Sequence, residues 1–325
     1  MKKISLSFPR SWLLILALSS ISAFGQSSPD FVKLVGNVAP ALMQAQYLGH
    51  HDPTSILRVT VALKLRNAVQ LQQFLEAVQD PTSSEYHQFL TPQQFTAMYD
   101  PTQAQVSTVV AYLESQGLHV TDVTSDNLII HVQDPSGMFE RAFGVQINDF
   151  VYQSRNVYGT PDNPQFPSDI AALVESVIGL SNITQLHPMI MQAPAVAPLS
   201  GTPTGYSPQQ IATAYDWPSI TDTANASGVT IAIATAESPN LASSDYDSFW
   251  SYYGLPSHSV SVIPIDGTGQ NVTKAQQETT LDVERSGAMA PGAGLQVYDA
   301  VDASFSRFFD TYDAIISANL LLILM

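Results

Sequence analysis

Apolar and polar positions follow two different periods along this chain. Residues 57–66 alternate one by one, as a half-buried strand does, whereas residues 228–235 form an unbroken apolar run typical of a parallel strand buried on both faces. Apolar residues at helical spacing predict a helix with Asp100 as its N-cap and Gly117 just past its end. The pattern therefore predicts a chain that mixes strands with helices.

The first half of the chain interleaves short strands and helices. Strands are predicted at 118–123 and 127–132, a short helix opens at Ser136, and a last helix begins at Ser168. This order over residues 40–182 predicts an α+β domain in which helices cover one face of an antiparallel sheet.

Residues 207–325 show the pattern of a different fold class. A helix is predicted from Ser207, the apolar strand at 228–235 follows, and a second helix at 243–253 precedes an extended segment at 260–265. Buried strands that alternate with helices are typical of an α/β doubly wound domain, and this segment is predicted to be its N-terminal part. No Gly-rich phosphate-binding motif follows the first strand of this segment, so a dinucleotide-binding site is not expected.

Two segments outside these predicted domains have their own composition. Residues 1–25 contain three basic residues, then a short apolar run, and then small residues of the kind found at cleavage sites. This order is typical of a secretory signal peptide, and an uncleaved membrane anchor is the alternative. Residues 183–206 are rich in Met, Ala, Pro, Ser and Gly without a period, which indicates a linker that holds the maturation site. The expected location is extracellular or periplasmic.

Composition narrows the classes of function. The chain has 325 residues, of which 45% are hydrophobic and 12% charged, which fits a globular protein of two domains. Its net charge of −16 argues against a nucleic-acid partner, and a surface poor in cations suits an acidic medium. The absence of cysteine excludes a disulfide framework, a thiol nucleophile and a cysteine-based metal site.

A further helix is predicted at 274–286. Thr273 and Gln276 have the pattern of a capping box, and Gly287 and Pro291 supply stop signals. This helix matters because it carries two carboxylates four residues apart, a spacing that brings side chains together on a helix surface.

Those carboxylates, Glu278 and Asp282, are predicted to lie on one face of the helix. Two carboxyl groups held this close do not titrate independently, and they can share a proton. One member then remains a base at acidic pH, as a serine nucleophile requires where no histidine is present. The spacing alone also fits a solvated helix face on which the pair contacts Lys274 or Arg285.

Other polar clusters fit structural roles better. Glu237, Asp245 and Asp247 stand on a loop and at a helix start, where carboxylates more often cap a helix than bind a metal. No His-x-x-x-His pair occurs in the sequence. A zinc site is therefore not expected.

Residues 278–293 resemble the Glu-x-x-x-Asp segment of the sedolisins, the serine-carboxyl peptidases with a subtilisin-like fold. The resemblance implies that Glu278 is the general base for a serine and that Asp282 orients it. Arg285 departs from the family, whose members generally carry an aromatic residue there. An arginine three residues from Asp282 is expected to hold that carboxyl ionised and to weaken proton sharing.

The same resemblance implies parts that the printed sequence does not contain. In the family, the serine lies in a Gly-Thr-Ser motif, an Asp stabilises the oxyanion, and a calcium loop follows the serine. Residues 294–325 contain no Gly-Thr-Ser. The expectation is a precursor truncated within its catalytic domain, with no cofactor in this chain and with calcium in the intact family.

Residues 40–182 resemble the pro-kumamolisin activation domain that precedes sedolisin catalytic domains. The matching motifs are Tyr86-His-Gln-Phe-Leu-Thr-Pro92, Glu140-Arg-Ala-Phe-Gly144 and Val177-Ile-Gly-Leu180. The resemblance implies a module that covers the cleft of its own catalytic domain and helps that domain to fold. The aromatic residues of the first two motifs are expected to be core and turn residues rather than binding residues.

These features predict a secreted serine-type endopeptidase precursor of the sedolisin type, acid-active in its intact form and inactive as this chain. The expected partners are protein or peptide substrates and, for the activation domain, its own catalytic domain; nucleic acid is not expected, nor a membrane after signal cleavage, and the chain is expected to be a monomer. One alternative is a non-enzymatic secreted inhibitor or folding chaperone derived from a peptidase propeptide. Another is a periplasmic α/β binding protein.

Overall fold

The computed structural model describes residues 30–188 and 205–318 and the backbone of residues 321–323. The predicted signal peptide and most of the predicted linker lie outside these residues. The gap at 189–204 divides the described chain into a first half and a second half. Within the two halves, no helix has the length and apolar character needed to cross a membrane.

Strands and helices interleave in the first half, as the sequence predicts. The strands are β1 Phe31–Lys33, β2 Gln46–His50, β3 Ile56–Leu63, β4 Val120–Val123, β5 Ile129–Pro135, β6 Asn148–Tyr152, β7 Arg155–Gly159, β8 Gln165–Pro167 and β9 Val174–Ile178. The helices are α1 Ala68–Ala77, α2 Pro92–Tyr99, α3 Gln103–Ser115, α4 Ser136–Phe143 and α5 Ser168–Ala171, with a 3₁₀ helix at Pro40–Gln44.

The main sheet of the first half is antiparallel, with the strand order β4-β5-β3-β9. Val59 and Val61 of β3 are fully buried in a core that also includes side chains of α3 and α4. The alternate residue Thr60 and its partner His131 point to the opposite face, where His131 meets the second half. A three-stranded sheet, β2-β6-β7, and the pair β1-β8 complete this α+β half.

Two element predictions in the first half are wrong. The N-cap of α3 is Thr102 rather than Asp100, because Thr102 and Gln105 form a capping box. The helix that begins at Ser168 stops after 4 residues. The segment that follows it pairs with β3 as strand β9. Its valines are spaced as in a helix, but their burial in the sheet favours the strand more strongly.

The strands of the second half form one parallel sheet. They are β10 Thr230–Ala236, β11 Val260–Ile265, β12 Gly294–Ala300 and β13 Leu321–Ile323, in the order β11-β12-β10-β13. The helices are α6 Pro208–Ala214, α7 Ser243–Tyr252, α8 Thr273–Met289 and α9 Phe305–Ser317.

Strand β10 is covered on both faces, as its unbroken apolar run predicts. Ile231 and Ile233 belong to a core that includes Trp250 of α7, whereas Ala232 belongs to a core that includes Ile315 of α9. Helices therefore pack on both sides of the parallel sheet. The narrower assignment to a subtilisin-like doubly wound domain stays a prediction.

Helix α8 differs from the predicted helix at both ends. Its N-cap is Val272, which makes no side-chain capping hydrogen bond, so the predicted capping box does not form. Gly287 lies inside the helix rather than ending it. A side chain has no room there, because a Cβ at position 287 would lie 2.7 Å from Cζ2 of the buried Trp250.

We expect Gly287→Ala to destabilise the second half by about 1–3 kcal/mol, because the added methyl group overpacks the contact between α8 and Trp250. Urea unfolding followed by tryptophan fluorescence measures the effect. Gly294→Ala is the matched control, since a Cβ there meets its nearest neighbour, Thr230, at an ordinary 3.5 Å. Equal unfolding midpoints for the two variants would contradict this packing account.

Candidate active site

Glu278 and Asp282 lie one turn apart on α8. Asp282 is only 6% exposed, and Glu278 is half-buried. The helix turns Asp282 inward with Thr279 and Val283, which are also buried. Asp282 therefore does not lie on a solvated helix face, the alternative that the spacing alone allowed.

Burial changes the acid chemistry of Asp282. Desolvation, with a further contribution from the charge of Glu278, raises the pKa of Asp282 to about 7. The carboxyl group consequently keeps its proton in mildly acidic solution, beside a second carboxyl group on the same helix. Such a pair can hold one shared proton and leave Glu278 able to accept another.

Arg285 does not act on Asp282 as predicted. Its Nη1 donates a hydrogen bond to the carbonyl oxygen of Tyr206 at 3.1 Å, and its guanidinium carbon lies 4.9 Å from the ring centre of Phe249. The pKa of Asp282 is raised rather than lowered, with burial as the main cause. The expectation that Arg285 holds Asp282 ionised is therefore wrong.

A buried hydroxyl cluster fixes α8 against the sheet, and sequence reasoning missed it. The hydroxyl oxygen of Thr279 lies 2.6 Å from that of Thr235 on β10 and 3.1 Å from that of Ser238 just beyond β10. These three residues are at most 9% exposed. Because Thr279 is next to Glu278, the cluster sets the position of the carboxylate pair relative to the carboxyl end of β10.

Asp299, near the end of β12, was also missed. It is fully buried, and its Oδ1 accepts a hydrogen bond from the backbone N–H of Ser238 at 2.8 Å. Burial raises its pKa to about 6. The available signal was its place at the carboxyl end of a strand parallel to β10, the edge at which α/β sheets collect functional groups.

The acidic cluster singled out in the sequence is dispersed. Asp245 lies in the first turn of α7, a position typical of a helix-stabilising carboxylate. Glu237 follows β10 with a positive φ of 57° and donates its N–H to the carbonyl of Ala300. Across the described ranges 30–188 and 205–318, no group of three or more His, Asp or Glu side chains is placed to hold a metal ion.

Comparisons with known proteins match both halves of the chain. Residues 43–183 match the family described as the pro-kumamolisin activation domain. Over 297 residues the chain is 30% identical to sedolisin from Pseudomonas sp. (strain 101), covering 87% of this chain and 50% of that protein. Over 293 residues it is 29% identical to xanthomonalisin from Xanthomonas sp. (strain T-22), covering 86% of this chain and 34% of that protein.

The chain thus spans half or less of the length of these two curated relatives. Among solved structures, Pseudomonas sedolisin complexed with two molecules of pseudo-iodotyrostatin aligns with 38% of this chain and 35% of that chain, at 24% identity and a TM-score of 0.31. That overlap is too low to bear on the fold. Residues 43–183 thus match the pro-kumamolisin activation domain family, and the similarity to sedolisin along most of the sequence supports a sedolisin-family peptidase precursor.

Proposed function

We propose that this chain is part of a secreted, acid-active serine-type endopeptidase precursor in which Glu278 is the general base and Asp282 holds the proton that Glu278 shares. One observation carries the proposal: a buried Asp282 with a raised pKa stands beside Glu278 on the same face of α8. A pair of carboxyl groups with different environments is the usual arrangement for acid and base roles at one site.

The proposed reaction follows the logic of serine peptidases. A serine hydroxyl attacks the peptide carbonyl carbon while Glu278 takes the hydroxyl proton, and Glu278 then returns that proton to the leaving amine. Water hydrolyses the acyl-enzyme by the same route. Asp282 stays protonated below its pKa of about 7. Its proposed role is to donate a hydrogen bond that orients Glu278 during the reaction. The serine has to come from residues outside the printed sequence, which contains no Gly-Thr-Ser.

The domain roles belong to the same proposal. Residues 40–182 act as the activation domain on the chain's own catalytic part, residues 183–206 carry the maturation site, and residues 1–25 direct secretion. Substrates are proteins or peptides, and the precursor is a monomer. No step is assigned to calcium, since the described residues offer no three-carboxylate group for it.

We expect the polypeptide of residues 26–325 not to hydrolyse protein at any pH, because no serine in it stands in a Gly-Thr-Ser motif. Loss of a nucleophile costs about 10⁶-fold in serine peptidases. Release of acid-soluble peptides from casein or haemoglobin between pH 3 and 8 is the measurement. Acid-dependent digestion that persists after repurification would overturn this expectation.

The proposed function is tested with a chain extended beyond codon 325 through a Gly-Thr-Ser segment. We expect it to shed residues 26–206 and digest protein in acid, and to lose both activities when that serine is changed to alanine. Clean folding with no digestion by the unmodified extended chain would favour the inhibitor or chaperone alternative instead.

A further inference from the structure

Three side-chain hydrogen bonds hold the first described residues of the second half against α7 and α8. These residues, 205–217, form a strap that contains α6. Nε2 of Gln209 donates to the carbonyl oxygen of Tyr253, just after α7, at 2.9 Å. Nε1 of Trp217 donates to the carbonyl oxygen of Met289, the last residue of α8, at 2.8 Å. The strap is thus bound in its middle and at its end.

Arg285 of α8 makes the third bond, at the beginning of the strap. Its Nη1 donates to the carbonyl oxygen of Tyr206 at 3.1 Å, and its guanidinium carbon lies 4.9 Å from the ring centre of Phe249 in α7. One guanidinium group therefore joins the strap to both helices. Arg285 follows Asp282 by three residues, so the strap is tied to the helix that carries the candidate carboxyl pair.

The backbone within the strap is hydrogen-bonded as well. Ser207 and Gln210 form a capping box at the start of α6. After this helix, the backbone N–H of Trp217 donates to the carbonyl oxygen of Ala212 at 2.8 Å. Proteases cut backbone that is exposed and free to open locally, so the strap has to be released from its partners before it is cut.

The aromatic side chains of the strap are open to solvent. Tyr206 is 76% exposed and Tyr215 is 77% exposed. A protease that selects aromatic side chains can therefore recognise both residues, and only the bound backbone keeps them from being cut. The rate of cleavage after these two tyrosines consequently measures how often the strap is released.

We propose that Arg285 sets the N-terminal limit to which proteases can shorten the second half, because it holds the strap on α7 and α8. Each cut adds one water across a peptide bond and leaves a carboxylate on one piece and an α-amino group on the other. Shortening from the N-terminal side stops before Gly205, so the strap stays on the helix that carries Glu278 and Asp282.

This limit goes beyond the proposed function. It narrows the segment proposed to carry the maturation site, residues 183–206, from its C-terminal end. The inference rests on contacts within the second half and does not depend on the serine-peptidase reaction.

The test is limited digestion of residues 26–325 with chymotrypsin, with early products identified by mass spectrometry. Cleavage after Tyr206 and Tyr215 reports release of the strap. Cleavage after Phe89, which is 74% exposed in the first half, gives a reference rate in the same chain. Cleavage after Trp250, which is 1% exposed, reports unfolding of the second half. In the parent we expect cleavage in the strap to be at least about tenfold slower than the reference.

Arg285→Met is the decisive variant. Methionine has a similar helix propensity to arginine but no N–H to donate. Loss of one hydrogen bond of ordinary strength raises the released population about fivefold, so cleavage after the two strap tyrosines should speed up by about that factor. The reference rate and the rate after Trp250 should stay at the parental values.

Two further variants accompany it. Gln209→Met removes the bond to Tyr253 and should also speed cleavage in the strap, and it replaces the first variant if that one misfolds. Lys274→Met removes an exposed cation from the first turn of the same helix and should leave every rate unchanged.

Two results would overturn the proposal. In one, the parent strap is cut as fast as the reference site, which would show that the strap is not held. In the other, Arg285→Met leaves cleavage in the strap unchanged, or raises it only in step with cleavage after Trp250, which would show that Arg285 does not hold the strap locally. Neither result bears on the serine-peptidase reaction, which is tested with the extended chain.

Discussion

In a chain extended through a Gly-Thr-Ser segment, Glu278→Gln is expected to lower kcat/KM on a peptide substrate by at least about 10³-fold, with KM little changed. A glutamine amide cannot accept the serine proton, and loss of a general base in a serine peptidase costs this much or more. Initial rates between pH 3 and 7 with a fluorogenic peptide are the measurement.

The matched control for this variant is Glu284→Gln. Glu284 lies on the same helix and its pKa is also raised by burial, to about 6, but it faces Asp245 and Arg285 rather than Asp282. We expect its rate to stay within about threefold of the parent. If Glu278→Gln also kept a near-parental rate, the assignment of the base to this helix would have to be withdrawn.

Asp282→Asn should also be severe, and it has a distinct signature. The parent is expected to lose activity as pH rises through about 7, where Asp282 gives up its proton. Asparagine has no such proton, so the remaining activity should lack that limb of the pH profile. An unchanged limb would show that another group controls it.

The largest stability effect is expected for Phe143→Ala in residues 30–188. Phe143 is fully buried, with ring centres 5.9 Å from Phe139 and 5.1 Å from Phe166, so truncation leaves a cavity in the main core of the first half. We expect a loss of about 3–5 kcal/mol in the free energy of unfolding. Urea unfolding followed by far-ultraviolet circular dichroism measures it.

Phe89→Ala provides the comparison for that variant. Phe89 is 74% exposed and therefore not a core residue, and its truncation should cost less than about 0.5 kcal/mol. Similar losses for the two variants would mean that the core does not lie where these side chains place it.

Local signals explain which parts of the fold the sequence predicts well. Gly144 ends α4 with a left-handed φ of 63°, and Ser207 caps α6 with Gln210 in a capping box, as start and stop residues predict. Prediction failed where tertiary contacts decide. Gly287 reads as a stop signal, yet it serves a close approach to Trp250.

The carboxylate pair was predictable in position but not in environment. The four-residue spacing places Glu278 and Asp282 on one helix face, while only packing on the sheet reveals that Asp282 is buried and that its pKa rises. Asp299 lies on β12 and Ser238 lies just beyond β10, so the hydrogen bond between them has no local sequence pattern. The periodic pattern of apolar and polar residues does not predict long-range contacts of this kind.

The central place of β3 has a consequence for synthesis on the ribosome. Val61 pairs with Ile130 of β5 on one side and with Val177 of β9 on the other. Strand β3 therefore leaves the ribosome long before either partner strand has been synthesised. During that interval its two most deeply buried valines are open to solvent and to other nascent chains. We therefore expect a chain of this topology to need a holding chaperone during synthesis, and slowing translation between β3 and β9 should increase its aggregation in the cell.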